Sequence, residues 1–318
     1  MISGLLRLLA LVISTAVFTV LPALVSAQEP ADPFQALILP GPDEIVGQQS
    51  GFGDGKITLA AQLTAEGNEI PRGMVWRVFK PEPDVDGKLP LVASAQGGTS
   101  QFQLEPGSYL VHAAFGRAGA TKRVTVTKDG KREIFVLDAG GLKLDAVSSG
   151  GVRIASSKLK FAIYEGEPEA NGERALVIPD VSPNTVVRLN AGIYHVVSTF
   201  GTVNAVIRSD IRVDAGKLTE ATVEHKAAEL TLKLVREAGG EAIADTSWSI
   251  FAESGDPVRE VVGAFASVVL AEGDYTFVAK NRDRIYQRDF TVVGGRNQDV
   301  EVLANEASSA EGSIDGAD

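Results

Sequence analysis

The chain has 318 residues, 44% of them hydrophobic, with 33 glycines, 14 prolines and no cysteine. That composition suits folded domains with many turns, and it excludes disulfides, thiolate metal sites and thioether-linked lipid anchors. The formal charge of −11 opposes binding to nucleic acid or anionic membranes, both of which want a basic face.

The first element is "MISGLLRLLALVISTAVFTVLPALVSA", residues 1–27. One basic residue, Arg7, precedes a long apolar run that ends in Val25-Ser26-Ala27, small side chains where signal peptidase acts. We read a signal peptide cleaved after Ala27, which places the protein in the periplasm or outside the cell. The alternative is a retained N-terminal anchor, because the run is near the roughly 20 residues that span a bilayer. Residues 28–53 follow as an extended Pro/Gly-rich linker with one apolar patch at 34–39.

From residue 54 the chain repeats itself, and such self-similarity sets the architecture. The first copy, residues 54–139, opens with "KITLAAQL", continues with the aromatic strand "MVWRVF" and reaches "LEPGSYLV". It closes with "RVTVTKDGK" and "REIFVL", where Asp129-Gly130 is a hairpin turn signal. The second copy, residues 140–227, has "LKFAIY" and "LNAGIYHV" in the same order. The third, residues 228–304, has "TSWSIF" and "LAEGDYTF". With Gly107, Gly192 and Gly273 in register, Tyr109, Tyr194 and Tyr275 align, as do Trp76, Phe161 and Trp248.

Within each copy apolar residues alternate, as at Ile57, Leu59, Ala61 and Leu63, so one face of each strand is buried and one is wet. The expectation is all-β: three tandem immunoglobulin-like antiparallel β-sandwich domains, joined by short links into an elongated row. In Leu-x-x-Gly-x-Tyr the Gly permits a tight bend, and the buried Tyr can hydrogen-bond nearby backbone. The tail, residues 305–318, is small and acidic and is expected to be disordered.

"LEPGSYLV", "LNAGIYHV" and "LAEGDYTF" resemble the Leu-Pro-x-Gly-x-Tyr-x-Val segment of carboxypeptidase-regulatory-like domains and of related prealbumin-like and Cna-B-like sandwiches. The resemblance covers all three copies. It implies an accessory module of a bacterial extracytoplasmic protein: a stalk, a spacer or a binding module. In Cna-B-like domains a Lys on the first strand can bond covalently to an Asn on the last. Here only the third copy offers such a pair, Lys233 and Asn297.

Chemistry-bearing clusters are few. The three histidines, His112, His195 and His225, are expected to be exposed strand residues, which gives no His-based triad or zinc cluster within a repeat. Glu82, Asp84 and Asp86 alternate before Gly87 but lack the rest of a calcium loop, so an ordinary acidic turn is expected. "GFGDGK", residues 51–56, lacks the spacing of a phosphate loop. No metal site, cofactor or catalytic residue is expected.

One feature suggests binding. Arg282, Arg284, Tyr286 and Arg288 crowd a hairpin of the third copy. A two-residue period places them on one face, opposite a buried Ile285, where they would suit an acidic protein surface or a polyanionic glycan. The plain alternative is a solvated hairpin paired with Asp283 and Asp289. The expected function is a non-catalytic spacer or protein-binding module of the cell envelope, with an envelope protein as partner. The alternative is binding of cell-wall or surface glycan.

Removal of the signal peptide would also remove Arg7 and take the formal charge from −11 to −12. N-terminal sequencing of the exported protein is expected to begin at Gln28. A retained Met1 in a membrane fraction would favour the anchor instead.

Overall fold

Alternating apolar residues and turn glycines produce three β-sandwiches in tandem. The computed structural model describes residues 53–304; the expected signal peptide, nearly all of the linker and the tail lie outside them. Residues 53–304 all belong to one compact unit. Among them no helix is long and apolar enough to cross a membrane.

The first sandwich comprises β1 (Gly55–Gln62), β2 (Met74–Phe79), β3 (Leu91–Gly97), β4 (Ser100–Leu104), β5 (Gly107–Phe115), β6 (Ala118–Val126) and β7 (Lys131–Val136). The second comprises β8 (Ala139–Ser148), a short β9 (Val152–Arg153), β10 (Leu159–Glu165), β11 (Leu176–Val181), β12 (Val186–Asn190), β13 (Gly192–Phe200), β14 (Ala205–Val213) and β15 (Leu218–His225). The third comprises β16 (Ala227–Val235), β17 (Thr246–Ala252), β18 (Pro257–Val262), β19 (Phe265–Ala271), β20 (Gly273–Asn281), β21 (Arg284–Val292) and β22 (Gln298–Leu303).

Each sandwich packs two sheets face to face. The first sheets, β3-β2-β5-β6, β11-β10-β13-β14 and β18-β17-β20-β21, have four strands and are antiparallel throughout. The second sheets, β4-β1-β7, β12-β8-β15 and β19-β16-β22, each contain one parallel pair, formed by the opening and closing strands of the repeat; in the second sandwich the short β9 adds to β8 as a fourth strand. Only Leu137 and Asp138 separate β7 from β8, and only Lys226 separates β15 from β16.

Trp76, Phe161 and Trp248 occupy matching places in the three cores and are 0%, 1% and 1% exposed. Each tryptophan also satisfies its indole N–H: Trp76 Nε1 donates to the Gly98 carbonyl at 2.8 Å and Trp248 Nε1 to that of Gly263 at 2.9 Å. Burying such a ring without orphaning its donor is what makes it a stable centre. The Phe135 ring meets Trp76 edge-on at 5.3 Å.

All three tyrosines close a corner. Their hydroxyls donate to the carbonyl four residues earlier: Tyr109 to Glu105 at 2.9 Å, Tyr194 to Asn190 at 3.1 Å, and Tyr275 to Ala271 at 3.0 Å. Burial, then the Glu165 carboxylate, pushes the Tyr194 hydroxyl up to about 12, so it stays a donor at every physiological pH.

Replacing Trp248 by Ala removes a fully buried ring and leaves its cavity, a loss of about 3–5 kcal/mol. The third sandwich is expected to melt first in that variant. Denaturant unfolding followed by Trp76 emission and by far-ultraviolet circular dichroism checks this, because the two signals should then separate.

Candidate docking surfaces

The basic hairpin differs from the sequence expectation in its facing. Tyr286 is 5% exposed, whereas Ile285 is 52% exposed. Register explains the reversal: Tyr286 stands opposite Ala279 of β20, which is buried, and Ile285 stands opposite the exposed Lys280. A strand takes the face its partner already has, so Tyr286 fills core space. Arg282, Arg284 and Arg288 are exposed, but they do not form a flat stripe with Tyr286.

Arg288 is opposite Phe277 at the sandwich edge, and its guanidinium group reaches outward to the Glu301 carbonyl of β22. It also lies 5.7 Å from the Phe290 ring centre. Lys122 does the same in the first sandwich, opposite Val111, where it binds Glu133 of β7 at 2.7 Å and stands over Phe135. Arg288 therefore helps to close its sandwich. Arg282 is in the turn, with φ 53°, and it lines an open hollow of about 560 Å³ with Arg284 and Tyr286.

The repeats touch through a recurring joint, and sequence reasoning missed it. The β5–β6 hairpin of the first sandwich meets β12 of the second, and the β13–β14 hairpin of the second meets β19 of the third. At the first joint, Asn190 at the end of β12 clamps the β5–β6 hairpin. Its Oδ1 accepts from Gly119 N–H at 3.1 Å, and its Nδ2 donates to the Gly119 and Leu137 carbonyls at 3.1 and 2.7 Å. The Arg117 amide donates to the Arg188 carbonyl at 3.0 Å, and the Arg188 guanidinium lies over the Phe115 ring at 4.4 Å.

At the second joint the asparagine is on the other side. Asn204, in the β13–β14 turn, accepts from the Ala271 amide at 3.0 Å and donates to the Tyr275 hydroxyl at 2.8 Å. Lys158 and Glu229 form an ion pair across the same joint. Ala227 of β16 and Val269 of β19, strands of the third sandwich, pack into the second core. Both joints thus engage the tyrosine corner of the incoming sandwich. The residue after the corner leucine is Asn190 in one copy and Ala271 in another, which is why the motif alone did not show its second role.

The other candidates resolve into structure. His225 is 1% exposed, not a surface residue, and its Nε2 is 2.8 Å from the Ser198 hydroxyl, itself 1% exposed. No substrate carbonyl can approach a pair so enclosed, and burial holds the imidazole below its usual range. His112 and His195 are half-buried, against Thr121 at 2.9 Å and Asp210 at 2.6 Å. Lys233 pairs with Asp299, while the Asn297 side-chain oxygen Oδ1 accepts from the Glu229 amide at 2.9 Å, so the two side chains are engaged apart. Asp84 Oδ1 accepts from the Asp86 and Lys88 amides, each at 3.0 Å, as in an ordinary acidic turn.

Titration should separate the sandwiches. Burial, then the Arg77 charge, lowers His112 from 6.5 to about 4. Hydrogen bonds from Lys122 and then Lys131 hold Glu133 below the usual carboxylate range. A folded-state pKa below the unfolded one means stability that is complete above the unfolded value and is lost as pH falls towards the folded one. The first sandwich is therefore expected to weaken progressively between about pH 6.5 and pH 4. The third has no histidine and is expected to hold. Acid titration of Trp248→Phe, which reports Trp76, against Trp76→Phe, which reports Trp248, checks the order. His112→Asn should flatten the upper part of the first curve.

A family model described as the Rhizobiales growth-associated tandem repeat domain matches residues 229–304, the span of the third sandwich. No curated protein matches the chain. Among solved structures, the Streptococcal ancillary pilin is 12% identical over 78% of this chain and 98% of its own, with a TM-score of 0.28. GBS52, the minor pilin of Streptococcus agalactiae, is 13% identical over 54% and 94%, with a TM-score of 0.29. The Bacillus anthracis TIE protein is 17% identical over 78% of this chain, with a TM-score of 0.22, and this chain covers 50% of its length. The chain is thus similar to tandem-repeat and pilin-type β-sandwich proteins.

Proposed function

We propose that the chain is a non-catalytic protein of the cell envelope, periplasmic or secreted, whose docked sandwiches act as a spacer that carries a protein-binding end. In this reading the sandwiches are modules of the carboxypeptidase-regulatory-like and Cna-B-like kind. The observation that carries the proposal is the joint. Asn190 makes three hydrogen bonds across the first boundary, and Asn204 makes two across the second. Freely linked beads would have no use for such contacts, because each costs side-chain entropy to hold. Fixing one module on the next is what a separation of set length requires. The growth association in the family description of the third repeat supports a role in building or spacing the envelope.

A spacer works by length, not by the identity of its middle module. In cells lacking the protein, a chain without residues 140–227 is expected to fail to restore the wild-type envelope phenotype. A chain carrying an unrelated sandwich of equal length in their place is expected to restore it. If only the native second repeat succeeds, that repeat is itself a binding module and the spacer reading is lost.

A further inference from the structure

The hairpins that form the two joints carry glycine where the next sandwich approaches. Gly116 and Gly201 have φ of 67° and 72°. A Cβ on Gly116 would meet Arg188 Cβ at 3.1 Å, and one on Gly201 would meet Val269 Cβ at 2.6 Å. The strand registers Met74↔Phe115, Leu159↔Phe200 and Thr246↔Asn281 make Arg282 the third member of this set, with φ 53°. Its neighbours change with it. Phe115 and Phe200 become Asn281, and the buried Ala118 and Ala205 become the exposed Arg284. A further sandwich cannot seat on this hairpin as the second and third seat on theirs.

In place of a seat there is the hollow of about 560 Å³, lined by Arg236, Arg282, Arg284, Asp283, Tyr286 and Ala304, among others. No ion pair engages any of the three arginines among the described residues. Three guanidinium groups against one lining carboxylate, Asp283, leave a site that favours anions. Arginine forks match carboxylates in paired hydrogen bonds.

We propose that this hollow binds the acidic segment that follows it, residues 305–318. Ala304 lines the hollow, so the segment starts at its rim. It contains Glu306, Glu311, Asp315 and Asp318 and no basic residue. Covalent attachment supplies the high effective concentration that weak, exposed ion pairs need. Where the first two hairpins carry the glycine of a repeat-to-repeat joint, the third carries a site for this acidic segment.

The chain has no cysteine, so Ser309→Cys accepts a single nitroxide spin label in the full-length protein. Proton signals from the amides of Arg236, Arg282 and Arg284 are then compared with those of a neutral-tail protein carrying Glu306→Gln, Glu311→Gln, Asp315→Asn and Asp318→Asn. These changes fall outside the sandwiches, so folding is not at stake. The acidic tail is expected to broaden those amides at least about twofold more than the neutral one. The excess should vanish between about 0.05 M and about 0.5 M sodium chloride, as the screening length falls from roughly 14 Å to roughly 4 Å. Equal broadening by both tails would mean tethering alone and would overturn the proposal. So would a native tail that leaves these amides untouched while an added oligoglutamate peptide shifts them, since the site would then take its carboxylates from another molecule.

Discussion

A hydrogen bond from each tyrosine to the carbonyl four residues before it is the contact on which the rest of the molecule leans. It pins the bends between β4 and β5, β12 and β13, and β19 and β20, and drives Leu104, Leu189 and Leu270 into the cores, where each is 1% exposed or less. It also leaves the residue that follows each leucine pointing out of the sandwich end. In the second and third copies that residue, or the tyrosine hydroxyl itself, receives the hairpin of the preceding repeat. One buried phenol therefore serves two levels of structure. It turns the chain within a module, and it shapes the face on which modules meet.

Charge is used sparingly and at edges. An open sandwich has a seam between its two sheets, and in the first and third copies a long cation from the sixth strand crosses it. Lys122 meets Glu133, and Arg288 meets the Glu301 carbonyl. Their cationic heads also stand over the Phe135 and Phe290 rings, so each makes an aromatic contact as well as its polar one. Several of the remaining ion pairs are exposed, such as Lys160 with Asp180, and contribute little on their own. The cores carry the stability, and the charged groups decide which surfaces are closed and which remain open to a partner.

Much of this could be read from residues alone. The copies, the strand order and the matched positions of Trp76, Phe161 and Trp248 follow from a period of two interrupted by glycine turns, because burial on one face leaves that mark on a sequence. The facing of β21 could not be read the same way. Tyr286 and Ile285 are adjacent and both apolar, and the choice between them is made by Ala279 and Lys280 across the sheet. The repeat alignment held a clue, since it sets Tyr286 beside Ala120, which packs against the first core. The joints were hidden for a different reason. Their asparagines come from the incoming strand in one case and the outgoing turn in the other, so no shared motif marks them. His225 read as a surface residue because alternation along β15 does not show that its last ring turns in against Ser198 and Phe200 of β13.

The parallel pairing of opening and closing strands has a mechanical consequence. Because β1 and β7 run in the same direction, the chain enters one end of the sandwich and leaves at the other. A pull on the two ends slides these strands past each other along their length. The bonds of the six register pairs from Ile57↔Lys131 to Gln62↔Val136 then share the load at once, where a hairpin pulled at its open end would peel one bond at a time. The same arrangement recurs at β8–β15 and β16–β22. Tension passing down the chain meets three such clasps in series, and extension by force is governed by the slow step of breaking a whole clasp.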